Sequence, residues 1–289
     1  MKNLDWEVVV VDNNSTDDTA DVIHALQGRY PIAIRYAFEE EQGLSCARNR
    51  GIAESDSRYV AFIDDDIRAE PQWLSAIVGG FQQHHYDAVG GKILLESGCV
   101  IPEWVQPEML GFLGQRDLSD DGFVMDGVKS FPFGGNMALS RKIIDKVGLF
   151  DTRMGRKGEG RRREELFKGE ETDYFRRLAA AGGRIYYEPR AVVRHKIMPH
   201  QLTKKFFRTI HFNAGYQKAM LDDASYGRTI SGVPLFLFTQ TARAAFRYLA
   251  QVFSKGPARA FRQQMNVGYF LGMTQGYWKR SGATSPRAS

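Results

Sequence analysis

Cysteine is nearly absent from this sequence, with only Cys46 and Cys99 among 289 residues. Two thiols cannot frame a disulfide scaffold, and these stand at no metal-ligand spacing, so a reducing compartment is the default. Long hydrophobic runs are absent as well. Val233 to Phe238, the most apolar late stretch, falls far short of the roughly 18 residues that cross a bilayer. No leader pattern opens the chain, and the expectation is a cytoplasmic protein. Acidic residues also run out: beyond Asp223 there is none. Residues 190–289 carry 16 lysines and arginines against Asp222 and Asp223, while residues 1–189 carry 23 against 32 acids. Such a basic tail calls for an anionic partner. No nucleic-acid reading module accompanies the charge, so no nucleic-acid partner is expected. Aromatic and basic residues alternate over 201–280, which fits peripheral attachment to an anionic membrane surface, the inner face of the cell membrane. Helices packed on the rest of the chain with their basic face in water account for the same residues.

What is present is a core-forming chain, 43% hydrophobic and 25% charged, long enough for one large domain and an appendage. WEVVVVD (6–12) is a continuous Val-rich run ending on a carboxylate, the pattern of a buried parallel strand. NNSTDDTADVIHAL follows as a helix, with Ser15 or Thr16 as N-cap and Asp17 and Asp18 in the first turn. IAIRYAF (32–38) reads as the next strand and LSCARNRGIAES as a helix. RYVAFIDDD (58–66) is another buried strand ending in acid. PQWLSAIVGGFQQH opens a helix near Pro71, and DAVGGKILL (87–95) is a further strand.

From Glu96 to Val128 the pattern loosens into a loop-rich excursion, and 129–151 reads as strand, turn and helix. Thr152 to Lys168, with Arg153, Arg156, Lys157 and Arg161 to Arg163 among glycines, reads as a mobile basic loop. Residues 169–195 give a helix stopped at Gly182-Gly183 and two short strands. Strands alternating with helices, with polar residues at the strand ends, predict an α/β fold: an open, mostly parallel sheet flanked by helices, with a C-terminal helical extension. The expected domains are 1–200, 201–280 for the helical extension, and a disordered tail over 281–289.

Asp64, Asp65 and Asp66 end a strand together. Two carboxylates at i, i+2 point the same way from extended backbone and can grip one hard divalent ion. A solvated acidic loop ahead of Pro71 explains the same residues. Asp12 can accept hydrogen bonds from a base or ribose, or can simply shape the turn with Asn13. Arg48 and Arg50, beside a glycine turn, can meet diphosphate oxygens or remain solvated. Glu170, Glu171 and Asp173 gather at a helix start, where the dipole favours negative charge. A general base there could take a proton from an acceptor hydroxyl. His195 is either a metal ligand or a strand-end histidine.

In this order, VVVDNNSTDDT, QGLSCARNRGI, VAFIDDDI, FGGNMALSR, GEETDYFRRL and AVVRH resemble family 2 glycosyltransferases of the GT-A fold, over residues 6 to about 195. The resemblance implies transfer of a sugar, with inversion, from a nucleoside diphosphate sugar, UDP-linked, to the hydroxyl of a glycan, a lipid-linked intermediate or a small molecule. It implies Asp12 at the nucleobase, with Asn14, Arg48, Asp64, Asp65, Gly135 and Asn136 at the donor. Asp66 and His195 would hold a divalent metal (Mn or Mg). Glu171 would be the catalytic base, with Glu170 and Asp173 on the acceptor side.

Two departures stand out. Glu171 takes the place of the commoner aspartate. The family's first strand, with its Pro-x-x-Asn-type end and following helix, has no counterpart before Val8; a unit of roughly 30 residues is expected to be missing. The other reading is a non-catalytic sugar-nucleotide binder at a membrane surface. A phosphatase of the haloacid dehalogenase type would want Thr or Ser soon after the second Asp, where Ile67-Arg68 stands. A nucleotidyltransferase would want a glycine-rich, lysine-bearing first loop.

Overall fold

The computed structural model describes residues 4–158, 165, 167–222 and 224–284. Arg161 to Arg163 of the expected basic loop, and the tail from residue 285, lie outside them. Two compact units form. The first runs to Cys99 and includes Gly114–Gly158 and Lys168–Lys196; the second includes Val100–Leu113 and everything from Ile197. Part of the expected excursion is thus grouped with the C-terminal helices.

In the first unit, β1 (Glu7–Asp12) and β2 (Ala33–Phe38) pair in parallel, Glu7 opposite Ala33 and Asp12 opposite Phe38. Their connecting helix α1 (Thr19–Leu26) begins later than the sequence predicts, with Asp18 rather than Ser15 or Thr16 at the N-cap. Asn14 sits in the left-handed region (φ 59°), and Asp12 Oδ1 accepts from Ser15 N at 2.8 Å. That turn cannot be helical.

A second sheet contains β3 (Tyr59–Phe62), β4 (Ile67–Ala69), β5 (Ala88–Leu95), β6 (Phe123–Met125), β7 (Met137–Ser140) and β8 (Ile185–His195). Its order is β3-β7-β5-β8-β4, with β6 also on β8. β5 and β8 run parallel; the other pairs are antiparallel. β8 is one strand where two were expected. Pro189 falls where the β5–β8 register jumps, between the pairs Gly91–Glu188 and Lys92–Val192, so its missing N–H breaks no ladder bond.

β7 is buried along its whole length. Met137 and Leu139 face α5 (Glu170–Ala180), joining Tyr174, Phe175, Leu178, Ile185 and Tyr187. Ala138 faces the other side with Ile77 and Phe81 of α3 (Trp73–His84) and with Val89 and Ala191. Each fully buried large side chain contributes about 2–3 kcal/mol. β1 and β3, in contrast, were expected to be buried and are not. Val8 to Val11 are half-buried, and Ala61 of β3 is exposed. Among the described residues each of these strands has a ladder partner on one edge only, β2 and β7 respectively.

The remaining helices of this unit are α2 (Leu44–Ala53) and α4 (Arg141–Val147). Ser140 caps α4, its hydroxyl accepting from Ile143 N. The second unit comprises α6 (Lys204–Met220), the hairpin β9 (Thr229–Ile230) and β10 (Val233–Pro234), α7 (Leu235–Arg259) and α8 (Phe261–Thr284). α6 and α8 approach until backbones touch: a Cβ on Gly276 would lie 2.6 Å from the Tyr216 carbonyl. Trp104 packs edge-on against Phe207 and Phe261. No described helix is long and apolar enough to cross a membrane.

Candidate active site

The strand ends of the first unit bring distant charges together, and Arg48 organises them. α2 is anchored to the chain after α4 by a reciprocal pair of 2.9 Å bonds: Asn49 Nδ2 donates to Phe150 O, and Phe150 N to Asn49 Oδ1. Ser45 Oγ adds a bond to Met154 O. The anchored helix aims Arg48 inward, with its side chain only 4% exposed. Nη1 donates to Glu170 Oε1 at 3.2 Å and Nη2 to Glu171 Oε1 at 3.4 Å, both at the start of α5. Asp64 Oδ1 lies 3.9 Å from the same Nη2, and the guanidinium rests over the Phe150 ring.

The two glutamates are not equivalent. Burial pushes Glu170 up to about 8, the Glu171 charge adding and Arg48 opposing. Burial works on Glu171 as well, but Arg48 and the Glu170 carboxyl hydrogen bond hold it below the ordinary glutamate range. Glu171 also accepts from Gly134 N at 3.2 Å and is the more exposed of the pair, 22% against 2%. The pair therefore holds one proton on the buried Glu170 and leaves an ionised, reachable carboxylate on Glu171.

Between about 4.5 and about 8 the folded chain keeps the Glu170 proton that the unfolded chain has lost. Stability contributed by this group therefore falls as pH rises through that window. Glu170→Gln removes the titration, and its urea midpoint should drop less than the parent's from about pH 6 to about pH 8.

Gly134–Asn136 forms a single 3-10 turn ahead of β7. A Cβ on Gly134 would strike the Arg48 guanidinium and Glu171; one on Gly135 would strike Ile67 and approach Asp64. These glycines let backbone lie against the charge cluster. Asn136 is fully buried: its amide donates to Ala191 O and Lys92 O, and its Oδ1 accepts from Trp73 Nε1 at 2.8 Å. Its side chain thus locks the turn to the sheet.

Asp66 and His195 meet at 3.0 Å, Oδ2 to Nε2. This follows from the β4–β8 pairing, in which Ile67 is opposite His195. Asp66 Oδ1 is buried with no hydrogen-bond partner among the described residues, and such an orphaned oxygen is open to a ligand. The carboxylate oxygens suit Mn or Mg, and the imidazole is a donor for a transition ion rather than for Mg, so the residues fit a divalent cation. Among the described residues no group of three or more His, Cys, Asp or Glu forms a protein-only cage. Asp65, between them, is exposed. Asp64 is pushed up by burial, with Arg48 opposing and Asp66 and Glu171 adding.

Asp12 ends β1 and is 5% exposed. Burial raises it, but bonds from Ser15 and the Tyr36 hydroxyl hold it below the usual carboxylate range. Asn14 donates to Glu40 O, while Asn13 ties this turn to the β2–α2 loop through Glu39, Glu41 and Gly43. Asp173 is not drawn to Arg48; it pairs with Arg177 at 2.8 Å, one turn along α5. Sequence reasoning gave Asn13 only a turn-shaping place and passed over Tyr36, Trp73 and Phe150. Trp73 alone had a signal, an aromatic in the first helical turn after the acidic strand end.

The first unit holds two sheets flanked by helices, with an acidic turn after β3, an arginine-clamped glutamate and a carboxylate–histidine pair. Its chain superposes on a mannosyltransferase of Pyrobaculum calidifontis solved in complex with GDP-Man and Mn2+, with TM-score 0.58, 17% identity, and coverage of 95% of this chain and 78% of that one. This is the GT-A fold. The sequence profile described as Glycosyl transferase family 2 matches residues 1–148, and the chain belongs to that family.

The glucosyl-dolichyl phosphate glucuronosyltransferase of Haloferax volcanii is 28% identical over 221 residues, 74% of this chain and 66% of that protein. The succinoglycan biosynthesis protein ExoM of Rhizobium meliloti is 24% identical over 209 residues, 72% of this chain and 62% of that protein. The chain thus spans somewhat less than two thirds of these relatives' own length.

Proposed function

We propose that this protein transfers a sugar from a nucleoside diphosphate sugar, UDP-linked, to an acceptor hydroxyl with inversion, assisted by a divalent cation. The observation that carries the reading is the Glu171 carboxylate, partly exposed and 3.4 Å from Arg48 Nη2, with Asp64 on the same guanidinium; Arg48 holds it below the ordinary glutamate range. Inversion by one in-line displacement needs a single base and no protein nucleophile. Glu171 supplies that base by accepting the acceptor's hydroxyl proton. Asp66 and His195 would hold the cation, which when bound neutralises charge on the diphosphate leaving group. Asp64, Asp65 and the Gly134–Gly135 backbone border the donor, and Asp12 and Asn14 take the nucleoside. Glu170 acts on the acceptor side only through Glu171 and Arg48, and Asp173 steadies the start of α5.

The names of two relatives support a glycan or lipid-linked acceptor, one naming a dolichyl phosphate sugar and the other a succinoglycan pathway. The basic C-terminal third supports work at an anionic membrane surface.

The test is calorimetric titration of UDP and GDP with and without Mn2+, followed by donor hydrolysis and transfer assays. Metal-dependent binding of one nucleotide is expected. Asp66→Ala should weaken that binding by about tenfold or more, since even partners behind a metal ligand are worth 10–100-fold. Normal metal-dependent binding by Asp66→Ala would place the cation elsewhere. Tight binding with no hydrolysis or transfer from any donor would make the protein a binder.

A further inference from the structure

α7 carries two apolar faces, and only one is covered. Leu237 and Ala244 are buried. On another side Leu235, Phe238, Ala242, Phe246, Leu249 and Phe253 recur at steps of three and four, one continuous stripe on a helix of 3.6 residues per turn. This stripe is exposed: Phe238 45%, Phe246 74%, Leu249 52% and Phe253 88%. It lies on the straight part of α7, which breaks at Gly256 (φ 81°) before Pro257, and spans about 27 Å at 1.5 Å per residue.

Arg243 and Arg247 flank the stripe about a quarter turn away. They line a groove of about 490 Å³ that also takes in Arg262 of α8. Neither Arg243 nor Arg247 forms an ion pair among the described residues, and Arg262 is held by Asn266 rather than by an acid. No acidic residue follows Asp223 anywhere in the sequence.

The geometry points to α7 as a helix that lies in the plane of an anionic lipid surface. The Phe238–Phe253 stripe enters the acyl boundary, and Arg243, Arg247 and Arg262 hold headgroup phosphates at the rim. This deepens, and rests on, the reading of an enzyme working at a membrane surface. The charge pattern decides against the other occupant, a second copy joined through the same heptad-like stripe. Coiled-coil seams are flanked by charges of both signs, whereas two α7 helices would bring only arginines and lysines together. Anionic lipid supplies the missing sign. The absence of any spanning helix among the described residues is compatible with a helix that lies on the surface.

The test uses the full chain, sedimented with phosphatidylcholine vesicles made with and without phosphatidylglycerol. Binding to the anionic vesicles alone, weakened by salt, is expected. Phe246→Ser with Phe253→Ser should reduce it about tenfold or more. Arg243→Gln with Arg247→Gln should reduce it about 30-fold and weaken the preference for anionic lipid. All four positions are exposed and outside the catalytic unit, so hydrolysis of a nucleotide-sugar in free solution should be unchanged. Vesicle binding needs no donor and is read separately from transfer, so failure of the proposed activity would not imitate failure here. No sedimentation with anionic vesicles would overturn the assignment, as would binding indifferent to both double variants. Sedimentation velocity showing a dimer that the Phe246→Ser, Phe253→Ser variant converts to monomer would give the stripe to a second copy instead.

Discussion

Glu171→Gln is expected to lower transfer by about 10²- to 10⁴-fold, the range for removing a positioned general base, while donor affinity stays within about twofold. The amide keeps an oxygen that can accept from Gly134 N and Arg48 Nη2, as the carboxylate does at 3.2 and 3.4 Å. Shape is therefore retained and only basicity is lost. Arg48 keeps its contacts with Glu170 and Asp64, so the variant should fold. The measurement is kcat beside a titration of nucleotide and metal. A variant retaining more than about a tenth of the parent's kcat would remove Glu171 from the role of base.

The same geometry predicts the acid limb of the pH profile. Because Arg48 and Glu170 hold Glu171 below the ordinary glutamate range, activity should persist on acidification past the point where a free glutamate is half protonated, about pH 4.3. Glu170 cannot take over. It keeps its proton up to about 8 and is 2% exposed, so no acceptor hydroxyl reaches it in an ionised form near neutrality.

The parts of this site that were legible in the sequence are those written locally. Asp64 to Asp66 stand in the turn between β3 and β4 rather than on a strand running through Asp66 as the sequence predicts, but three adjacent carboxylates repel one another, and that local run is what pointed to a candidate site. The α/β class followed from apolar runs alternating with helical periodicity. What could not be read is what depends on long-range packing. β7 inserts between β3 and β5 because Met137, Ala138 and Leu139 supply apolar side chains to both faces of the sheet. Nothing local in FGGNMALSR specifies that position. Asn136 carried a donor-site expectation, but its hydrogen-bonding groups all turn inward to Trp73, Lys92 and Ala191. Asp173 looked like part of the acidic group with Glu170 and Glu171, yet helix geometry sends it to Arg177 at i+4. The half-burial of β1 and β3 likewise reflects how many neighbours each strand has, which an apolar run does not encode.

Arg48→Met should destabilise the fold by about 3–5 kcal/mol at neutral pH, the cost of leaving buried charge unpaired. Among the described residues Arg48 lies 3.2 Å from Glu170, 3.4 Å from Glu171 and 3.9 Å from Asp64. Methionine fills much of the volume and can still pack on Phe150, so the loss isolates charge rather than shape. Without the guanidinium, burial and mutual repulsion lift all three carboxyls above their unfolded values. The folded variant then binds more protons than the unfolded chain, so its stability should rise as pH falls from about 7 to about 5, on the linkage sign for raised acid pKa values. Adding Glu170→Gln should recover part of the deficit by removing the most buried carboxyl. The two effects must be non-additive because the residues share a bond. Urea unfolding of the parent, both single variants and the double variant at both pH values gives the coupling directly. A coupling near zero would mean that Arg48 is held by packing on Phe150 and that the carboxylates are neutralised by something other than its charge.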